Sequence, residues 1–223
     1  MRKILTILIS VSMLLVTSAC GDDKAYTNTT TGNNQNTQTE QQTNNENETQ
    51  STENSELYAD AIGITIELEN GGIMKGELYP NLAPKTVDNF VKLVKDNFYD
   101  GLIFHRVIEG FMIQGGGYDA DMTPKEAETI VGEFTQNGFE NNLKHTKGVL
   151  SMARTPDPNS ASSQFFIMHA DAPHLDGAYA AFGRITEGLE FVDEIATAKT
   201  GTNSYGMSDV PVEPIIIKTI KID

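Results

Sequence analysis

Ile62, Ile64, Ile66 and Leu68 alternate with other residues, and after Asn70-Gly71-Gly72 the series Met74, Gly76, Leu78 repeats the same period of two. Side chains on a strand point alternately to opposite faces, so this pattern demands a sheet buried on one side. The Asn-Gly-Gly step reads as a tight turn joining the two runs into a hairpin. Further short runs of strand character follow at residues 103–108, 111–114, 148–153, 164–168, 181–185 and 215–222. Only two stretches break the period. Pro84 suits the first turn of a helix because its missing N–H is not needed there, and Val87, Phe90, Val91 and Val94 then recur at helical spacing to near Asn97. Leu189, Val192 and Ile195 mark a second helix over residues 189–196. Many short strands with two helices predict a mainly β domain: a closed or nearly closed antiparallel barrel with helices over its openings.

The rest of the chain divides by composition. Residues 21–56 are almost entirely Asn, Thr, Gln, Glu, Ser, Gly and Asp, which offer too little apolar surface to offset the entropy of ordering them. The segment therefore reads as a polar tether. Before it, Arg2 and Lys3 precede an apolar run over residues 4–16, and Thr17, Ser18 and Ala19 lead into Cys20. This is the layout of a secretory signal. At about 1.5 Å per residue the run spans about 20 Å, short of a bilayer core of about 30 Å. The sequence at 16–20 is similar to the bacterial lipobox, although Thr17 stands where leucine is usual. That resemblance implies a diacylglyceryl group on Cys20, while simple secretion is the alternative. The expected organisation is a signal peptide at 1–19, a lipidated cysteine and linker at 20–56, and one folded domain at 57–223.

Charge and residue counts exclude several functions. With 31 acidic and 16 basic residues the net charge is −15, a field that repels nucleic-acid phosphates. One cysteine permits neither an intrachain disulfide nor a cysteine zinc cluster, and no two of His105, His145, His169 and His174 stand at helical i, i+4 spacing. No metal and no cofactor is expected. Gly115-Gly116-Gly117 lacks the Lys-Ser/Thr of a phosphate loop, leaving a turn or a crowded backbone as its reading. Ser162 and Ser163 lead into a strand rather than a nucleophile elbow.

What remains is an arginine on a strand beside apolar and amide side chains. Met112 and Gln114 share a face by parity, with Phe111 and Arg106 close in sequence. Taken alone, Phe111 and Met112 also fit a core and Arg106 a solvated charge. The downstream blocks change that balance. PKTVDNF at 84–90, FHR at 104–106, GVLSMAR at 148–154, SQFFIM at 163–168, LDG at 175–177 and AFG at 181–183 resemble, in order and spacing, the cyclophilin family of peptidyl-prolyl isomerases.

The resemblance covers about residues 60–223 and implies a closed eight-stranded antiparallel barrel capped by two helices, with a groove on its outer surface. It places Arg106 as the catalytic arginine. Phe111, Met112, Phe166 and Leu175 match the proline pocket, and Gln114 and Gln164 match the groups that hold substrate backbone. Ala153 and Arg154 match the adjoining stretch, and Tyr179 stands where the best-known eukaryotic members carry a histidine. Further departures from those members are His174 for a tryptophan, Arg154 for an asparagine, and a different loop over residues 118–138. The implied substrates are proline-containing segments of secreted or envelope proteins. The protein is expected to work as a monomer, held to the outer face of a bacterial membrane by its lipid. The rival from another class is a binding module that holds such segments without turning them over.

Overall fold

The computed structural model describes residues 58–223. The expected signal peptide, the linker at 20–56 and Cys20 lie outside the described residues. Among the described residues ten strands and two α-helices follow one another: β1 (Ile62–Leu68), β2 (Ile73–Leu78), α1 (Pro84–Lys95), β3 (Leu102–Ile108), β4 (Met112–Asp119), β5 (Val149–Met152), β6 (Phe165–Met168), β7 (Ala181–Glu187), α2 (Leu189–Ala196), β8 (Thr200–Gly201), β9 (Val210–Pro211) and β10 (Ile217–Ile222). Eight of the strands form one antiparallel sheet in the order β10-β1-β2-β7-β5-β6-β4-β3, and β8 pairs with β9 in a small separate ladder.

The expected closure needs correction. β10 lies along β1 from Ile64↔Ile222 to Leu68↔Ile217, and on the other side only an isolated bridge, Ile103↔Ile216, joins β3 to the residue just before β10. At that seam Phe104 N–H donates to Ile215 O at 3.0 Å and Gly101 N–H to Ile217 O at 2.9 Å. Beyond the bridge β3 gives its edge to another segment, Val107 N–H donating to Asp209 O at 2.8 Å, so the barrel is nearly closed with one seam that no continuous ladder seals. The triple glycine also departs from a turn: it continues β4. A Cβ on Gly115 would stand 3.0 Å from Ile103 O, and one on Gly116 2.9 Å from Ser163 O. Close strand approach, the second of the two readings, explains the run.

Inside, the strand period and the helix faces supply one core. Val87, Phe90 and Val94 point inward as expected, while Leu93 is buried where Val91 is only partly so. Phe90 lies at its centre, with ring centroids 5.1 Å from Tyr99, 5.5 Å from Phe165 and 5.2 Å from Phe182.

The start of α1 is held in an unusual way. Ala83, at the N-cap, has no side chain able to cap. Instead Glu133, 2% exposed, accepts from Lys85 N–H at 3.0 Å, Thr86 N–H at 2.8 Å and the Thr86 hydroxyl at 2.7 Å. A carboxylate at a helix N-terminus satisfies open donors and complements the dipole. It also ties the loop before β5 to the helix. Replacing Glu133 with Ala strands these donors in the interior, and urea unfolding should show a loss of about 2–3 kcal/mol.

Candidate functional site

The same alternation that fills the interior builds a second apolar cluster on the outer face. Ile113, Ile167 and Leu150 belong to the inner core, whereas their strand neighbours Met112, Phe166, Met168 and Val149 belong to the outer cluster. Arg106 would not reach that face in a regular strand, because Phe104, two residues earlier, points inward. The register shifts between them: Phe104 pairs with Gly115 and Arg106 with Gln114, so two residues of β3 match one step of β4. Such an irregularity turns the next side chain to the opposite face. Arg106, Gln114, Phe166 and Ser151 then form one cross-strand row over β3, β4, β6 and β5. At about 4.8 Å per strand the row is about 14 Å long.

Above this row lies a groove of about 370 Å³ lined by Arg106, Phe111, Met112, Gln114, Ala153, Arg154, Phe166, Leu175 and Tyr179, together with His174. Of the residues expected at the site, only Gln164 is not in the lining. It stands behind, its Oε1 accepting a hydrogen bond of 2.9 Å from Gln114 Nε2. Gly117 leaves room for it, since a Cβ there would come within 2.6 Å of the Gln164 side chain. Met112 is 2% accessible and forms part of the floor. Phe111 stacks on His174 with centroids 5.8 Å apart, and Tyr179 meets Phe166 edge-on at 5.8 Å. The short helical turn Pro173–Leu175 brings Leu175 and His174 to the groove. The Arg106 side chain makes no hydrogen bond or ion pair with any described residue, so its guanidinium is available to a ligand. Among the described residues no cluster of metal-ligating side chains occurs.

Residues 63–222 match the family model described as cyclophilin type peptidyl-prolyl cis-trans isomerase/CLD. A peptidyl-prolyl cis-trans isomerase of Acinetobacter baylyi is 45% identical over 159 residues, covering 69% of this chain and 81% of that protein. Peptidyl-prolyl cis-trans isomerase B of Bacillus subtilis is 44% identical over 146 residues, covering 66% and 94%. The crystal structure of a Cryptosporidium parvum cyclophilin type isomerase superposes with a TM-score of 0.62 at 33% identity, over 73% of this chain and 98% of that one. The chain belongs to the cyclophilin-type peptidyl-prolyl isomerase family. Another crystal structure of the Cryptosporidium cyclophilin was obtained in the presence of the dipeptide Ala-Pro.

Two features of this cyclophilin were not foreseen. Arg154 is less a groove cation than a brace. Its Nη2 donates to Ala178 O at 2.8 Å and its Nη1 to Thr155 O at 2.9 Å. The guanidinium lies 4.6 Å from the Tyr179 ring centroid and 4.9 Å from that of Phe134, a cation–π sandwich that holds the groove wall. A fork of five donors between two rings does this where a shorter amide could not.

The second feature is His105, at the register shift itself. It is 2% exposed, packs edge-on against Tyr118 at 4.8 Å, and leaves Nδ1 without a partner. Burial pushes its imidazole down to about 4, with the neighbouring Ile103 backbone and Gln164 side chain acting the other way. A histidine whose folded pKa is depressed stabilises the fold fully above its ordinary 6.5 and loses that contribution as pH falls from 6.5 toward about 4. Urea midpoints measured at pH 7.5 and 4.5 should therefore reveal a loss of about 2–3 kcal/mol from this group. The His105→Gln variant should lose less over the same interval.

Proposed function

We propose that the groove is the catalytic site of the isomerase, that Arg106 is its catalytic residue, and that the enzyme acts on secreted or envelope proteins from a lipid anchor at Cys20. The observation that carries the site assignment is the unpaired guanidinium of Arg106 in one row with Gln114 and Phe166. Rotation about an X-Pro bond is slow because the amide has partial double-bond character, with a barrier of about 18–20 kcal/mol. In the twisted transition state conjugation is lost and the proline nitrogen regains a lone pair. A guanidinium N–H aimed at that nitrogen binds the transition state better than the planar ground state, which is the condition for catalysis. Arginine suits the task because its guanidinium offers a planar fork of N–H donors.

The remaining parts have matching tasks. Phe111, Met112, Phe166 and Leu175 offer an apolar seat for the proline ring, and Tyr179 and Ala153 continue the wall. Gln114, steadied by Gln164, holds the flanking backbone while the carbonyl side turns. Arg154 bounds the groove where substrate residues next to the proline would lie. Seating the ring excludes water from the amide, and the less polar setting favours the less charge-separated twisted form. The groove is complete within one chain, which supports action as a monomer.

One charged hydrogen bond contributes about 1.5–3 kcal/mol, so Arg106→Ala should lower kcat/KM on an X-Pro peptide about a hundredfold. The circular dichroism spectrum should be unchanged. A protease-coupled assay reads the rate, and near-normal turnover by the variant would refute the assignment.

For the location, the support lies in the positive start, the apolar run over residues 4–16 and the small residues before Cys20. Two acyl chains, at about 0.8 kcal/mol per buried methylene, hold a protein stably where one is marginal. A Cys20→Ala protein should move from the membrane fraction into the medium. Its continued retention on membranes would count against the anchor.

A further inference from the structure

Beneath the groove, three side chains of the kinds found in hydrolytic triads line up. His145 Nε2 stands 3.0 Å from Ser151 Oγ, and His145 Nδ1 stands 3.1 Å from Asp176 Oδ1. The same Asp176 oxygen accepts from the His145 backbone N–H at 2.8 Å. Ser151 is fully buried and His145 is 2% exposed, so no substrate carbonyl reaches the serine and nucleophilic chemistry is excluded.

The neighbours show what the alignment does instead. The imidazole lies flat against the Phe166 ring, with centroids 6.1 Å apart and planes 21° from parallel. Ser151 is the cross-strand partner of Phe166, and Asp176 directly follows Leu175. One buried ring thus touches the backing of two groove residues. We propose that His145 is a positioning residue of the isomerase: its neutral imidazole, held between Asp176 and Ser151, fixes Phe166 and the turn at Leu175 in the shape that seats proline. This rests on the reading of the groove as the catalytic site.

Proton placement follows from the partners. The Asp176 carboxylate can only accept, so Nδ1 carries the proton and Nε2 accepts from the Ser151 hydroxyl. Adding a second proton puts a donor on Nε2, forces the serine hydroxyl to turn away, and places a charge behind Phe166. Burial holds the His145 imidazole below its ordinary 6.5, with Asp176 opposing and with His174 and Lys144 acting in the same direction as burial. Lys144 stands 3.5 Å from the other Asp176 oxygen, while Ser151 and Phe166 bring no charge. Asp176 in turn is lowered: burial raises it, but the His145 hydrogen bonds and Lys144 outweigh that.

The test is kcat/KM on an X-Pro peptide from pH 8 to 4.5 for the wild type, His145→Asn and His145→Leu. Wild type should hold its rate to pH 6.5 and lose it below, in the sense set by a depressed histidine. Asparagine keeps a donor for Asp176 but does not titrate, so this variant should retain at least about a third of the rate at pH 8 and lack the acid limb. Leucine should cost about tenfold at every pH, with KM rising more than kcat falls. An acid limb that survives in His145→Asn belongs to another group, such as His105 or His174, and overturns the proposal; so does a leucine variant with wild-type kinetics. If the leucine variant does not fold, the asparagine profile decides alone. A wild type inactive at pH 8 would sink the catalytic reading of the groove itself. In that case the nitrogen shifts of His145, followed with the Phe166 ring resonances through the same titration, still test the relay: uncoupled movement overturns it.

Discussion

The register shift between Phe104 and Arg106 governs the outer face of the barrel, because on either side of it β3 obeys opposite parities. Leu102 and Phe104 fill the core, and past the shift Val107 fills it instead, which leaves Arg106 outward. Without that extra step the guanidinium would be driven toward Phe165 and Phe90, where burying an unpaired charge costs several kcal/mol. The shift therefore serves stability and chemistry together. His105 occupies the irregular position, and its neutrality follows from having no room for a hydrated charge.

Once Arg106 faces outward, the groove becomes a second core left half open. Met112, Phe166, Met168 and Val149 form an apolar strip on the outside of β4, β6 and β5, a face that water would otherwise cover. The segment around Pro173–Leu175 and Tyr179 covers part of it, and the remaining slot is the groove. A substrate ring completes the covering. Binding then draws on the same burial of apolar area that holds the interior together. Arg154, clasped between Phe134 and Tyr179, and Glu133, bound to the start of α1, lock the covering loops to opposite parts of the frame.

Much of this was legible in the chain. The alternation at Ile62–Leu68 and the apolar spacing after Pro84 and Leu189 located β1 and both helices, since each is a local consequence of one face being buried. The groove lining was legible as separated blocks in a fixed order, a resemblance that assigned nine of the ten lining residues. What escaped was whatever depends on distant partners. Glu133 looks like one more acid in an acidic chain until the donors of Lys85 and Thr86 are placed beside it. The seam beside β10 depends on which neighbour takes its edge, and a sequence period cannot say that. His174 was noted only as a substitution for tryptophan, although its place between Pro173 and Leu175 signalled that it shares their turn. Ser151 and Asp176 fall inside two of the quoted blocks, but nothing in the sequence signals their alignment with His145, because residues 145–151 and Asp176 meet only through folding.

The distribution of charge gives a last constraint. The chain has almost twice as many acids as bases, and among the described residues five lysines pair with carboxylates, as Lys75 does with Glu187 and Lys147 with Asp193. The two groove arginines do not. Arg154 spends its fork on main-chain carbonyls and aromatic faces, and Arg106 has no partner among the described residues. A carboxylate beside Arg106 would already occupy the donors in the ground state, so their contact with the twisted amide would have to displace an ion pair. The differential binding that accelerates rotation would shrink by the strength of that pair. The groove floor is accordingly built from amides, sulfur and rings, groups polar enough to orient a peptide yet unable to neutralise a guanidinium. In a chain this acidic, keeping carboxylates out of one groove is as much a part of the proposed site as the arginine itself.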